Sequence, residues 1–70
     1  MAADPVVVNA RGMKCPWPAL RAARTMRNAE AIVIEADDPI ASRELETLAL
    51  AQGWTFTILD EHRFALAHTA

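Results

Sequence analysis

The single cysteine, Cys15, is the feature that most constrains how this chain can fold. One thiol cannot form a disulfide within the chain and cannot by itself supply a zinc site. Small secreted domains of comparable length usually depend on several disulfides. With 70 residues there is room for one hydrophobic core, so we expect a single domain over residues 1–70 that is stabilised by that core alone.

Membrane segments and signal peptides are not expected from the sequence. The longest apolar runs, at 31–34, 48–51 and 64–67, are four residues long, whereas a membrane span needs about 20. Residues 1–5 contain neither a basic start nor an apolar stretch. The sequence therefore predicts an uncleaved cytoplasmic protein with no membrane partner.

Hydrophobic periodicity predicts the element order β-α-β-α-β-β. The predicted elements are a strand at 6–9, a helix at 16–27, a strand at 31–36, a helix at 38–53 and hairpin strands at 54–58 and 63–68. Asp38 is the predicted N-cap of the second helix and Gly53 its C-cap, while Asn28 is the predicted left-handed residue after the first. Ala41, Leu45, Leu48 and Ala49 form the predicted inward stripe of the second helix.

Right-handed crossovers would place both helices on one face of a mixed four-stranded sheet, which gives an α/β fold of the α+β two-layer sandwich type. If the first two strands are parallel, the loop at 11–15 and the Asp37-Asp38 loop leave the same edge of the sheet. Ligand sites of α/β folds tend to lie at that edge. We therefore look for function in these two loops.

The charge distribution divides the chain into a basic part and an acidic part. The net charge is −2, which argues against a nucleic-acid partner. Residues 1–28 nevertheless carry +4 and residues 29–70 carry −6. Arg21, Arg24 and Arg27 recur every third residue and predict a basic strip that begins near Cys15. This strip is either a solvated helix face or a surface that steers an acidic partner protein.

Cys15 directly precedes the predicted first helix, in the sequence Cys15-Pro16-Trp17-Pro18. As the N-cap, its sulfur would lie at the positive end of the helix dipole, which favours the thiolate and lowers the pKa of the thiol. The two prolines lack an amide proton, so the Trp17 N–H is the expected donor to the sulfur. The prolines also stiffen the turn that presents the thiol.

Positive charge in the same loop gives a second reason to expect a reactive thiol. Lys14 and Arg11 would both favour the thiolate of Cys15. A disulfide cycle within the chain is excluded, and His62 and His68 in the hairpin form no recognisable base-and-orienter arrangement. The chemistry that fits is a thiolate that accepts a group reversibly, for example as a persulfide, and hands it on.

These motifs resemble those of the TusA (SirA-like) family of sulfur-carrier proteins. The similarity rests on RGMKCPWP at 11–18, DDP at 37–39 and the element order, and it covers nearly the whole chain. It implies that Cys15 accepts persulfide sulfur from a cysteine desulfurase or a rhodanese-type donor and relays it to an acceptor protein, DsrE-like or other. No cofactor beyond the covalent persulfide is implied, and we expect a monomer. The residues expected to support Cys15 are Arg11, Gly12, Lys14, Pro16, Trp17 and Pro18.

Several alternatives stay open at the level of the sequence. Trp17 either docks a partner or packs over the start of the helix. Asp38 is expected mainly as a cap. Asp37 and Asp38 are candidates for tuning Cys15, and Asp37 is alternatively a residue that repels wrong partners. Two other functions compete with sulfur transfer: a regulatory module whose thiol senses oxidants, and a protein-binding domain that uses the 15–18 loop without sulfur chemistry.

Overall fold

The computed structural model describes residues 5–69. Its elements are β1 (Val6–Asn9), α1 (Trp17–Met26), β2 (Ala31–Glu35), α2 (Ala41–Gln52), β3 (Thr55–Asp60) and β4 (Arg63–Ala67). The predicted order β-α-β-α-β-β is confirmed. Residues 1–4, on which the prediction of an uncleaved N-terminus partly rests, and residue 70 lie outside the described residues.

The strands form one four-stranded sheet in the order β1-β2-β4-β3. β1 is parallel to β2, with Val8 opposite Ile34, while β4 runs antiparallel to both β2 and β3. The sheet is therefore mixed, as predicted. Because β1 and β2 are parallel, the loops that follow them leave the same edge of the sheet, where the candidate site lies.

The hydrophobic core lies between one face of the sheet and the two helices. Val8, Ile34 and Phe64 occupy neighbouring register positions on that face, and all three are buried. On the opposite face Val7 exposes 64% of its surface, so only one face of the sheet is covered. The predicted two-layer sandwich is thus confirmed. The buried apolar residues are Val8, Ala10, Ala22, Met26, Ile32, Ile34, Ala36, Ala41, Leu45, Ala49, Phe64 and Leu66.

The end of α1 differs from the prediction. The C-cap is Arg27 in right-handed helical conformation, and no non-glycine among residues 5–69 has a positive φ. The prediction of Asn28 as a left-handed terminator is therefore wrong. The Asn28 N–H instead bonds the Thr25 carbonyl at 3.1 Å, so the chain leaves α1 through a tight turn that satisfies this carbonyl.

The start of α2 also differs, whereas its end agrees. α2 begins at Ala41 with Ile40 in the cap position, so Asp38 is not the N-cap in the predicted sense. Its carboxylate instead accepts the Ile40 N–H at 2.8 Å and shapes the turn that leads into the helix. Gly53 is the C-cap at φ 74°, as predicted, and the Trp54 N–H bonds the Ala49 carbonyl at 2.9 Å.

None of the helices within residues 5–69 combines the length and the apolar character needed to cross a membrane.

Candidate functional site

The loop between β1 and α1 is held against the loop between β2 and α2. Gly12 adopts φ 80°, a left-handed conformation that favours glycine, and its N–H donates to Asp37 Oδ1 at 2.9 Å. The Ala10 N–H donates to the Glu35 carbonyl at 2.8 Å and extends the β1–β2 pairing up to the turn. The structure therefore brings together the two loops that the sequence predicted at this edge.

Asp38 joins the Cys15 backbone to the start of α2. Its Oδ2 accepts the Cys15 N–H at 2.8 Å, while its Oδ1 accepts the Ile40 N–H at 2.8 Å. The pKa of Asp38 is lowered by hydrogen bonds from the Ile40 and Cys15 amides. Burial opposes this shift, and the charge of Lys14 adds the smallest lowering effect. The ionised carboxylate is thus the form that holds Cys15 in place.

The thiol of Cys15 points to a carboxylate that the sequence analysis did not single out. Cys15 Sγ lies 3.0 Å from Oε1 of Glu44 and donates its proton to it. The pKa of Cys15 is raised by this hydrogen bond, then by burial, and then by the negative charges of Glu44 and Asp38. The prediction of a lowered pKa is therefore wrong, because the sulfur faces an anion.

Cys15 does not cap α1. Pro16 occupies the cap position, and no side chain among the described residues caps this helix. The Trp17 N–H, which was expected to bond the sulfur, donates to the Lys14 carbonyl at 2.9 Å. The Cys15–Pro16 peptide bond is cis. The hydrogen bond of the thiol runs to Glu44 on α2 and not to the amides of α1.

The two cations expected to favour the thiolate act on carboxylates instead, Arg11 through an ion pair and Lys14 through its charge. Arg11 Nε lies 3.1 Å from Glu35 Oε1 in a partly exposed ion pair. The charge of Lys14 contributes to the lowered pKa of Asp38. Neither cation is among the groups that shift the pKa of Cys15.

A groove runs along α1 beside the Cys15 loop. It is lined by Met13, Trp17 and Leu20 and by the predicted basic strip, Arg21, Arg24 and Arg27. Trp17 exposes 61% and Leu20 52% of their surfaces, and the three arginines are exposed as well. Apolar and basic side chains thus share one accessible surface, which reaches Met13 in the Cys15 loop.

The two histidines make contacts elsewhere in the fold. His68 Nε2 lies 2.8 Å from the Met26 carbonyl, and its ring meets Trp54 edge-on at 5.3 Å between centroids. His62 lies in the hairpin turn, 3.9 Å from the Glu61 carboxylate. Within residues 5–69, no group of three or more histidine, cysteine, aspartate and glutamate side chains could hold a metal ion.

Comparison with known proteins identifies the family. The family model described as sulfurtransferase TusA matches residues 6–66. The chain belongs to the TusA family. A general role in sulfur transfer, with donor and acceptor proteins as partners, follows from this membership. No curated protein matches the sequence.

The fold of this TusA-family chain also occurs in a crystal structure of a SirA-like protein from Desulfitobacterium hafniense. The two superpose with a TM-score of 0.76 at 19% sequence identity, over 93% of this chain and 99% of the other. At this identity the similarity concerns the fold, and it agrees with the mixed sheet and the paired helices described above.

Glu44 is the site residue that the sequence analysis missed. It lies three residues after Ala41 and next to Leu45, so it belongs to the inward stripe of α2 by helical spacing. A charged residue within an otherwise apolar stripe was the available signal. Glutamate in the first turn of a helix also has an ordinary explanation in the helix dipole, which hides that signal.

Proposed function

We propose that this TusA-family protein is a sulfur carrier in which Cys15 accepts sulfane sulfur from a donor enzyme as a persulfide and relays it to an acceptor protein. The observation that carries the proposal is the placement of Cys15. The chain's only cysteine lies, partly accessible, in a loop that two aspartates hold at the edge of the sheet. A rigid loop lowers the entropy lost when a partner receives the thiol.

The transfer step balances without an oxidant. The sulfur of Cys15 attacks the terminal sulfur of a donor persulfide, R–S–S–H, and forms a new S–S bond. The S–S bond within the donor breaks, and its electron pair leaves with the donor cysteine. The proton lost by the Cys15 thiol is taken up by that leaving thiolate. Transfer to the acceptor repeats the same exchange with the roles reversed, so the carrier needs no redox partner of its own.

The groove along α1 supports a docking role for the residues around Cys15. Trp17 and Leu20 offer apolar contact area, and Arg21, Arg24 and Arg27 offer positive charge. This combination suits a partner surface that is acidic around an apolar centre. We propose a cysteine desulfurase or a rhodanese-type enzyme as donor and a DsrE-like or other sulfur-accepting protein as acceptor. The cytoplasmic location and the monomeric state stay predictions.

Intact-protein mass spectrometry tests the proposal directly. The protein is incubated with a cysteine desulfurase and cysteine, or with a rhodanese and thiosulfate, and is measured before and after mild reduction. We expect a reductant-labile mass gain of one sulfur atom on the wild type and none on the Cys15→Ser variant. If neither donor loads the wild type, the protein is not a persulfide carrier for these donor classes.

The same variant separates the competing functions. A protein-binding module would keep its partner affinity in Cys15→Ser, whereas a carrier loses transfer while its docking surface stays intact. An oxidant sensor depends on a low-pKa thiol, and the Glu44 contact raises the pKa of Cys15 instead. The contact with Glu44 therefore disfavours direct oxidation of Cys15 in the free protein.

A further inference from the structure

We propose that Glu44 controls the reactivity of Cys15 by holding its thiol proton, so that the free carrier reacts slowly with small electrophiles and the proton leaves only in the complex with a partner. This inference rests on the sulfur-carrier function proposed above and concerns the regulation of the same site. Glu44 contacts the reacting atom itself, at 3.0 Å between Oε1 and Sγ.

The geometry fixes Cys15 at two points on the same side. Asp38 accepts the backbone N–H of Cys15 at 2.8 Å, and Glu44 accepts the thiol proton at 3.0 Å. The two carboxylates come from the turn before α2 and from its first turn. Hydrogen bonds therefore hold both the backbone and the side chain of Cys15 to α2 and the turn before it. Rotation of the thiol away from Glu44 would break one of them.

The charges that face the thiol oppose its ionisation. Glu44 and Asp38 both act on the sulfur as negative charges. Of the two cations in the same loop, Arg11 pairs with Glu35, and the charge of Lys14 acts on Asp38. A thiolate in this position would lie against the Glu44 carboxylate as a second anion, which disfavours loss of the thiol proton. The thiol form is favoured in the free protein.

A protonated thiol suits a carrier that has a single cysteine. The thiolate is the nucleophile in sulfur exchange and also the form that oxidants attack. The chain has no second cysteine that could resolve a sulfenic acid as an internal disulfide. Retaining the proton on Cys15 therefore limits oxidation between transfers. In the complex the proton passes to the leaving thiolate of the donor, which keeps the exchange balanced.

The test compares Glu44→Gln with Glu46→Gln in the full chain. Both variants remove one negative charge from α2, but Glu46 is exposed and lies outside the Cys15 contact. The rate of Cys15 alkylation by iodoacetamide is measured from pH 6 to 10 without any donor. We expect Glu44→Gln to shift the profile to lower pH and to react roughly three- to tenfold faster at neutral pH, since the rate follows the thiolate fraction.

The outcomes separate this inference from the proposed function. An unchanged alkylation profile in Glu44→Gln, or an equal shift in Glu46→Gln, overturns the role of Glu44. Urea unfolding checks that both variants fold. We expect them to fold because glutamine is close in shape to glutamate. Persulfide loading is measured separately on the same proteins with desulfurase and cysteine. If alkylation shifts as expected but no protein accepts sulfur, the contact with Glu44 holds and the carrier function fails.

Discussion

The pKa values of Asp38 and Cys15 shift in opposite directions because their hydrogen-bond partners differ. The carboxylate of Asp38 receives two backbone amides, which stabilise its charged form. The thiol of Cys15 faces the carboxylate of Glu44, which stabilises its neutral form. The ionised side chain of Asp38 therefore holds the loop in place, while that of Glu44 keeps the thiol of Cys15 protonated.

The lowered pKa of Asp38 predicts a pH dependence of folding stability. A carboxyl group with a folded pKa below its unfolded value, about 3.9, stabilises the fold above that value. The contribution is lost as the pH falls through the lower, folded pKa. We expect the urea midpoint of the wild type to drop below about pH 4 and Asp38→Asn to show a smaller drop.

Tryptophan fluorescence during urea unfolding at pH 7 and pH 3 measures this effect. Asp38→Asn should also have a lower midpoint at pH 7, because asparagine has one acceptor oxygen for the two amides of Cys15 and Ile40. Glu46→Gln, on an exposed part of α2, is the control. An equal pH dependence in Asp38→Asn and the wild type would contradict the assigned role of Asp38.

The two helices present different surfaces at the site. α1 contributes an accessible groove of apolar and basic side chains, whereas α2 contributes the carboxylate that faces the sulfur. One helix is thus suited to recognition and the other to the chemistry of the thiol. Trp17 exposes 61% of its surface, so it does not pack tightly over the helix start; its docking role stays a prediction.

The basic strip predicts an electrostatic effect on partner association. We expect Arg21→Glu to slow sulfur loading by a donor several-fold at low salt, and the difference from the wild type should shrink at high salt. Arg43→Glu makes the same charge change at an exposed position of α2. The initial loading rate is measured at two ionic strengths. An equal effect of the two substitutions would mean that net charge matters and the position of the strip does not.

At the scale of the whole molecule, stability depends on a small core that both helices share with one sheet face. Leu45 on α2 is fully buried among this core, at 0% exposure. A chain of this length has a small stability margin, because short domains bury a smaller share of their surface.

Shortening a core side chain should lower the free energy of unfolding strongly in this fold. We expect Leu45→Ala to lower the free energy of unfolding by about 2–5 kcal/mol, a large part of the total for so small a domain. Leu50→Ala on the same helix is the matched control, because Leu50 exposes 78% of its surface, and its effect should stay within about 0.5 kcal/mol. Urea unfolding measures both. Equal losses in the two variants would contradict the assigned core.

The sequence by itself determined the element order, the bounds of β1, the C-cap at Gly53 and the meeting of the two loops at one sheet edge. These features follow from local periodicity, turn chemistry and chain handedness, so neighbouring residues encode them. The family resemblance also followed from contiguous motifs, and the match over residues 6–66 confirmed it.

Only the tertiary structure decided what surrounds the sulfur. Four hydrogen bonds set the geometry of the site, and each joins residues 23 to 29 positions apart in the chain. They link Arg11 to Glu35, Gly12 to Asp37, Cys15 to Asp38 and Cys15 to Glu44. The prediction of a low-pKa thiol used only the neighbours of Cys15 along the chain. A pKa depends on the charges nearest in space, and the carboxylate that contacts the Cys15 sulfur belongs to Glu44 on α2.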